Sequence, residues 1–312
     1  MAELVILPVS LGALTLIVIM EFVPTVRLFC WQITLLLLSL HVQPEPLAFK
    51  KLTPAGKVFS TFTLRRSHDK SYSKKAIHMV SAWAAENSLV LGQIKTDDKS
   101  NEITAMEAAI KSLELKGCLV TIDAMGCQKK IADVIVEQEA DYLLAVKDNQ
   151  PSLHQAIQNY FSDANEANFE EYNIDYAETH NKGHVCHEER RCWVGYDALP
   201  RIDNSQDWKA LETVVMVESS MPVDGKTTIE HRYYISSSDG TASKLLSASR
   251  SHWFMPNSLH WRLDIAFRED ESRIRKGYGA ENFACCKKSC DEAISTCIKQ
   301  QQGLVHLIRK GR

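Results

Sequence analysis

The chain has 312 residues, 45% of them hydrophobic and 24% charged, which suits a globular protein with one large core or two smaller ones. A formal net charge of −3 argues against a uniformly basic nucleic-acid binder but leaves room for a local basic face. Nine cysteines, odd in number and irregularly spaced, give no disulfide framework and suit a reducing cytosol, so a cytoplasmic protein is expected.

Residues 1–50 do not read like the rest. Leu4 to Met20 is almost uninterrupted apolar sequence, and Leu28 to Val42 is a second such run. A membrane-spanning helix needs about 20 apolar residues. The first run falls just short, follows Glu3 and lacks the basic start of a signal peptide. Three readings stay open: buried or poorly ordered helices, which are preferred; a membrane hairpin; and out-of-register translation of a damaged gene.

Lys57 to Leu64 (KVFSTFTL) is predicted as a strand. Ile77–Trp83 and Leu89–Lys95 alternate as two more, around a tight turn at Glu86, Asn87 and Ser88. Ser100 or Asn101 can cap a helix running to about Leu115. Cys118 to Ile122 is then a short apolar, β-branched run closed by Asp123, and a helical pattern follows from Cys127. Tyr142–Val146 is a further strand, and another helix opens near Pro151. Strand, helix, strand in this order builds a parallel βαβ unit. A carboxylate just past the end of a buried strand lies where open α/β sheets keep their chemistry. Asp123 is therefore the first candidate, although Asp is also common there as a turn former and helix cap.

Residues 165–240 are polar, with strand-like runs at Arg191–Val194, Leu211–Val217 and Glu230–Ser236. A helix is expected over Thr241 to Ser249, and a second after Pro256 with Leu259, Leu263 and Ile265 near helical spacing. The tail from Cys286 is amphipathic at best. Residues 244–312 hold 13 Lys/Arg against 7 Asp/Glu, compatible with a DNA backbone and equally with a solvated helical surface. His180, His184, Cys186, His187 and Cys192 crowd one segment, and Cys285, Cys286, Cys290 and Cys297 another. Neither has paired C-x2-C spacing, so zinc is disfavoured at both.

Several long blocks carry a resemblance: GQIKTDDKSNEITA from Gly92, TIDAMGCQKKIA from Thr121, ADYLLAVKDNQPSLH from Ala140, and NSLHWRLDIAFREDESRIRKG from Asn257. They resemble the H-repeat-associated insertion-sequence transposases, a group of DDE transposases with an RNase H-like fold. The likeness covers roughly Thr63 to Ala284. It implies a mixed α/β (α+β) chain: an atypical segment over 1–50, a core over 57–164, a β-rich insertion over 165–240, a helical part of the core over 241–285 and a divergent tail over 286–312. It also implies metal-dependent cleavage and joining of DNA at the terminal repeats of a mobile element, with Mg2+ or Mn2+ as cofactor, and leaves a homodimer open.

In that family three carboxylates hold two divalent ions. Asp123 matches the second acid. Thr63-Leu64-Arg65 aligns with the end of the family's Asp-Gly-Lys-Thr-Leu-Arg motif, which puts Ser60 where the first acid belongs. His252-Trp253-Phe254-Met255-Pro256-Asn257 aligns with His-Trp-x-x-Glu-Asn and puts Pro256 at the third. One carboxylate cannot offset the lost hydration of two magnesium ions, so this copy is expected to be catalytically defective. Asp264, were it on the same helix, would lie about 12 Å along the axis from position 256, too far to substitute. Residues expected to face DNA are Arg65, Arg66, Lys147, Arg250, His252, Trp253, Asn257, Arg273, Arg275 and Lys276, each with a plain alternative as a solvated charge or core aromatic. Asn149 and Gln150 follow the same strand as Lys147 and suit either the site or a solvated loop. The rival readings are a catalytically silent DNA-end binder and a membrane-anchored remnant.

Overall fold

The computed structural model describes residues 56–64, 77–84, 89–96, 102–182, 187–223, 226–274 and much of 279–291. The expectations for residues 1–50, the 86–88 turn and the Ser100/Asn101 cap lie outside these. The elements in chain order are β1 (Lys57–Leu64), β2 (Ile77–Ala84), β3 (Leu89–Lys95), α1 (Glu102–Lys111), β4 (Leu119–Ile122), α2 (Lys129–Glu137), β5 (Asp141–Val146) and α3 (Pro151–Glu166). They continue with β6 (Ile174–Lys182), β7 (His187–Gly195), β8 (Thr213–Val223), β9 (Lys226–Ser236) and α4 (Ala242–Phe267).

Among the described residues nine strands form one mixed sheet, in the order β3-β2-β1-β4-β5-β9-β8-β7-β6. β1 runs antiparallel to β2 and parallel to β4, and β4 runs parallel to β5. That is the RNase H-like arrangement. The remaining strands extend the same sheet as an antiparallel meander joined at β5–β9. Serines staple this junction: Ser236 Oγ donates to the Tyr142 carbonyl at 2.7 Å, and the Tyr142 N–H donates to Ser237 Oγ at 3.0 Å.

Strand alternation decides which face each residue serves. Phe59, Val120, Ile122, Tyr142, Leu144 and Val146 face a core shared with Met106, Ile110, Ile131, Ile135, Ile157 and Phe161 of α1, α2 and α3. Full burial of side chains such as these stabilises by about 1.5–3 kcal/mol each. The opposite face carries α4. Its Ala242, Leu245 and Leu246 pack on Leu119, Leu143, Ala145, Val215 and Val217, and its Leu263 packs on Val58 and Trp83.

Three differences from the sequence reading have physical causes. α1 ends at Lys111, short of Leu115, because Leu113 and Leu115 are buried in the connection and Gly117, at φ 70°, turns the chain into β4. β6 carries too few apolar residues in IDYAETHNK to show a pattern, yet β7 holds it as the last strand of the sheet. The expected break before Pro256 does not occur. α4 is one helix of 26 residues, begun by Thr241, whose Oγ1 accepts from the Lys244 N–H at 3.4 Å, and stopped by Arg268 in the left-handed region. Proline removes only the bond to the His252 carbonyl, and buried contacts on both sides of it outweigh local preference.

Beyond α4, Ala280 and Ala284 return to pack on Met79, and Lys288 Nζ donates to Ser81 Oγ at 3.1 Å. Among the described residues no helix is long and apolar enough to cross a membrane.

Candidate active site

Asp123 leaves β4 in extended backbone (φ −69°, ψ 175°) and caps the single 3-10 turn Ala124–Gly126. Its Oδ1 accepts from the Gly126 N–H at 3.4 Å. Gly126 is required by close approach: a Cβ there would run into the Ile122 methyl and the Met106 sulfur. The neighbouring strand holds this turn from the side. Asn149 Nδ2 donates to the Ala124 carbonyl, and Gln150 Nε2 donates to the Cys127 carbonyl at 3.0 Å. Asn149 and Gln150 thus support the acid turn. Burial lifts the half-buried Asp123 carboxyl above its ordinary range, opposed by the N–H groups of Gly126 and Met125 and by the charge of Lys147.

The β1–β4 register pairs Lys57 with Val120, Val58 with Thr121 and Phe59 with Ile122. One further step sets position 60 beside position 123. Alternation from Val58 and Thr121 puts both positions on the sheet face covered by α4.

His252 anchors the helix there. It is buried, 4% exposed, with Nδ1 3.2 Å from Thr121 Oγ1. The Thr121 hydroxyl gives its one proton to the Lys57 carbonyl at 3.4 Å, so it accepts from a protonated Nδ1 of His252. Burial pushes the imidazole pKa down to about 4. This chain of bonds joins β1, β4 and α4, the three elements that carry positions 60, 123 and 256. Position 256 shares a helical stripe with His252, four residues before it, and Leu263, seven after, and both of these meet the sheet.

A second corner forms where β5, β9 and α4 meet. The β5–β9 register pairs Val146 with Tyr233, so the next step sets Lys147 beside Arg232. The Arg232 guanidinium lies 4.2 Å from the Trp253 ring centre and Lys147 Nζ 5.9 Å from it. Trp253 Nε1–H donates to Tyr234 OH at 3.4 Å, and Ser249 Oγ donates to the same hydroxyl at 3.0 Å. Glu230 pairs with Arg232 through two bonds of 2.8 and 2.9 Å.

Of the residues expected to face DNA, Lys147, Arg250 and Arg273 are exposed and Trp253 is half-buried. His252 is corrected. It faces Thr121 in the core and leaves the DNA-facing set. Arg65, Arg66, Arg275 and Lys276, and the side chain of Asn257, lie outside the described residues. Sequence reasoning missed Arg232 and Tyr234, whose signal was their period-2 placement in EHRYYIS, meaningful only once β9 is paired with β5. Of the His/Cys clusters, Cys192 is buried with its thiol pushed up to about 12, and it faces α4 while His180 faces the other side of the sheet.

The donor set at Asp123 does not fit a pair of magnesium ions. Serine and proline stand at positions 60 and 256, where the family's motifs lead one to expect its partner acids. Among the described residues the one group of three candidate ligands is Glu178, His180 and Glu189, on β6 and β7, and it does not include Asp123.

An RNase H-like sheet with an acid at the end of β4, facing a long helix, defines the class. A family model described as a transposase DDE domain matches residues 56–288, and the chain belongs to that family. It is 42% identical over 255 residues to the "H repeat-associated putative transposase YhhI" of Escherichia coli (strain K12), an alignment covering 80% of this chain and 66% of that one. It is 54% identical over 97 residues to the "H repeat-associated putative transposase YbfD" of the same strain, covering 31% and 38% of the two chains. The chain thus spans just under two thirds of YhhI. A synaptic complex of piggyBac transposase with hairpin DNA matches at a TM-score of 0.42 and 13% identity, over 89% of this chain and 55% of that one, a likeness too distant to carry an argument.

Proposed function

We propose that this chain is a DDE-family transposase that binds DNA ends and has lost metal-dependent phosphoryl transfer. The observation that supports the reading is the β1–β4 register, which pairs Phe59 with Ile122, the residues just before Ser60 and Asp123, so that continued by one step it would bring a serine, not an acid, beside Asp123. Two-metal catalysis clamps the attacking and leaving oxygens between ions held by shared carboxylates. A lone carboxylate, with proline rather than glutamate on the facing helix, offers no such cradle.

The corner of Lys147, Arg232 and Trp253 supports the binding half of the proposal. It presents cations and an aromatic face beside the acid turn, the combination that tracks a nucleic-acid backbone. Asp123 alone would give neither Mg2+ nor Mn2+ a site. The test is a magnesium-dependent cleavage assay on matching terminal repeats beside a binding assay on the same DNA. The proposal expects binding without cleavage. Robust cleavage that Asp123→Ala abolishes would refute it, and so would failure to prefer terminal repeats over unrelated DNA.

A further inference from the structure

We propose that two copies of this chain pair through β6, edge to edge and antiparallel, about a two-fold axis at Thr179. Among the described residues β6 is the last strand of the sheet and pairs only with β7. The Tyr196 N–H donates to the Asn173 carbonyl across the start of this ladder. Antiparallel bonding alternates, so residues 175, 177, 179 and 181 turn their backbone groups toward β7. Positions 176, 178, 180 and 182 turn theirs to the open edge. The Asp175 carboxylate answers one of these, the Tyr176 N–H, at 2.9 Å.

An antiparallel partner strand must join even-numbered positions to even-numbered positions. Each register of a symmetric pair then has its axis on one residue, and side-chain chemistry selects among them. An axis at residue 178 sets Glu178 against its own copy, which repels. An axis at Thr179 sets Glu178 against the second copy's His180 twice over, and residue 176 against residue 182. It also makes Thr179 face Thr179 in a non-hydrogen-bonded pair, where side chains approach most closely. The Thr179 hydroxyl is shielded from solvent and, among the described residues, hydrogen-bonded to nothing, although hydroxyls so placed normally have a partner. Turned toward the edge, it meets its symmetry mate. An axis at residue 180 gives Glu178 a lysine but leaves Thr179 without its mate.

The groups facing Glu178 and His180 within one chain are Tyr176, which donates to Glu178 at 2.6 Å, and Arg191 and Glu189 on β7. His180 already lies 3.3 Å from Glu178 of its own strand. Pairing therefore extends an existing charge ladder across the axis. The proposal concerns the assembly behind the DNA-end-binding reading but rests on β6 alone. A chain that pairs this way yet binds no DNA would leave it standing and sink that reading.

The test uses the full chain with Thr179→Cys, mildly oxidised and run without reductant beside the parent and Asn181→Cys. A covalent dimer of Thr179→Cys above the level of both controls is expected. Equal cross-linking of all three, none in any, or stronger cross-linking of a His180→Cys chain overturns the proposal. By sedimentation, Glu178→Lys should weaken the dimer about tenfold, and adding His180→Glu should restore it. A parent that sediments as a monomer at every concentration overturns the proposal as well.

Discussion

Two neighbouring residues of α4 look into two different regions. His252 faces β1 and β4, where Ser60 and Asp123 stand, and Trp253 faces the corner of Lys147, Arg232 and Tyr234. In the first region the frame is whole: the helix is docked, the hydrogen bonds run from α4 to β4 to β1, and the acid turn is supported from β5. The proposed change is confined to the ligands. In the second, Lys147, Arg232 and Tyr234 gather around Trp253 by direct contacts. The comparison teaches that the contacts which dock α4 on the sheet, His252 on Thr121 and Leu263 on Val58 and Trp83, come from residues other than 60 and 256, so the proposed loss of two acids is compatible with an intact scaffold.

The largest effect should come from refilling the first region. Pro256→Glu replaces an interior helical proline and should stabilise the chain by up to about 3 kcal/mol in thermal melts. Combined with Ser60→Asp, it should add metal-dependent stabilisation of about 2.7 kcal/mol at one hundred times the dissociation constant. If the double variant gains nothing from Mg2+ or Mn2+, the register drawn between β1 and β4 is not that of an acid pocket.

Removing the frame should cost almost as much. His252→Ala leaves a cavity and removes one of the two partners of the Thr121 hydroxyl, a loss of about 2–4 kcal/mol in chemical denaturation. The same residue sets a pH dependence. Its folded pKa, about 4, lies below the ordinary value of 6.5. Between these values the unfolded chain binds more protons, so stability is full above about pH 6.5 and falls as pH drops toward 4. The whole window is worth about 3 kcal/mol at most. His252→Asn, which keeps a donor near the Nδ1 position and does not titrate, should flatten that slope.

Effects in the second region should appear in binding rather than stability. Trp253→Ala should weaken single-stranded DNA binding by about 1–3 kcal/mol. Arg232→Gln should lower the salt dependence of binding by about one phosphate contact. The smallest effect belongs to a control far from both regions. Lys129 pairs with Asp207 at 2.6 Å, both about half exposed, so Lys129→Ala should change stability by less than about 1 kcal/mol.

Much of this was legible in the sequence for physical reasons. β1, β4 and β5 are short strand-like runs, β4 the most β-branched of them, and Asp123 stands where a buried strand gives way to a turn. The family's motifs singled out positions 60 and 256, but setting position 60 on the sheet face that α4 covers needed the register. Arg232 could not be reached from sequence because its partner Lys147 lies 85 residues away, joined only by the β5–β9 pairing. His252 was misjudged because a histidine in a basic, aromatic stretch looks exposed until the helix is docked. The unbroken α4 was hidden by a local rule: proline ends helices when nothing else holds them, and here the sheet holds this one.

The most direct test of the central claim is Mn2+ titration followed by electron paramagnetic resonance, on the parent chain, on Asp123→Ala and on the Ser60→Asp, Pro256→Glu double variant. The account predicts that the parent and Asp123→Ala bind Mn2+ alike, and that the double variant gains binding which a further Asp123→Ala removes. Binding in the parent that disappears with Asp123→Ala would contradict it, because a working metal site would then stand where only one acid has been found.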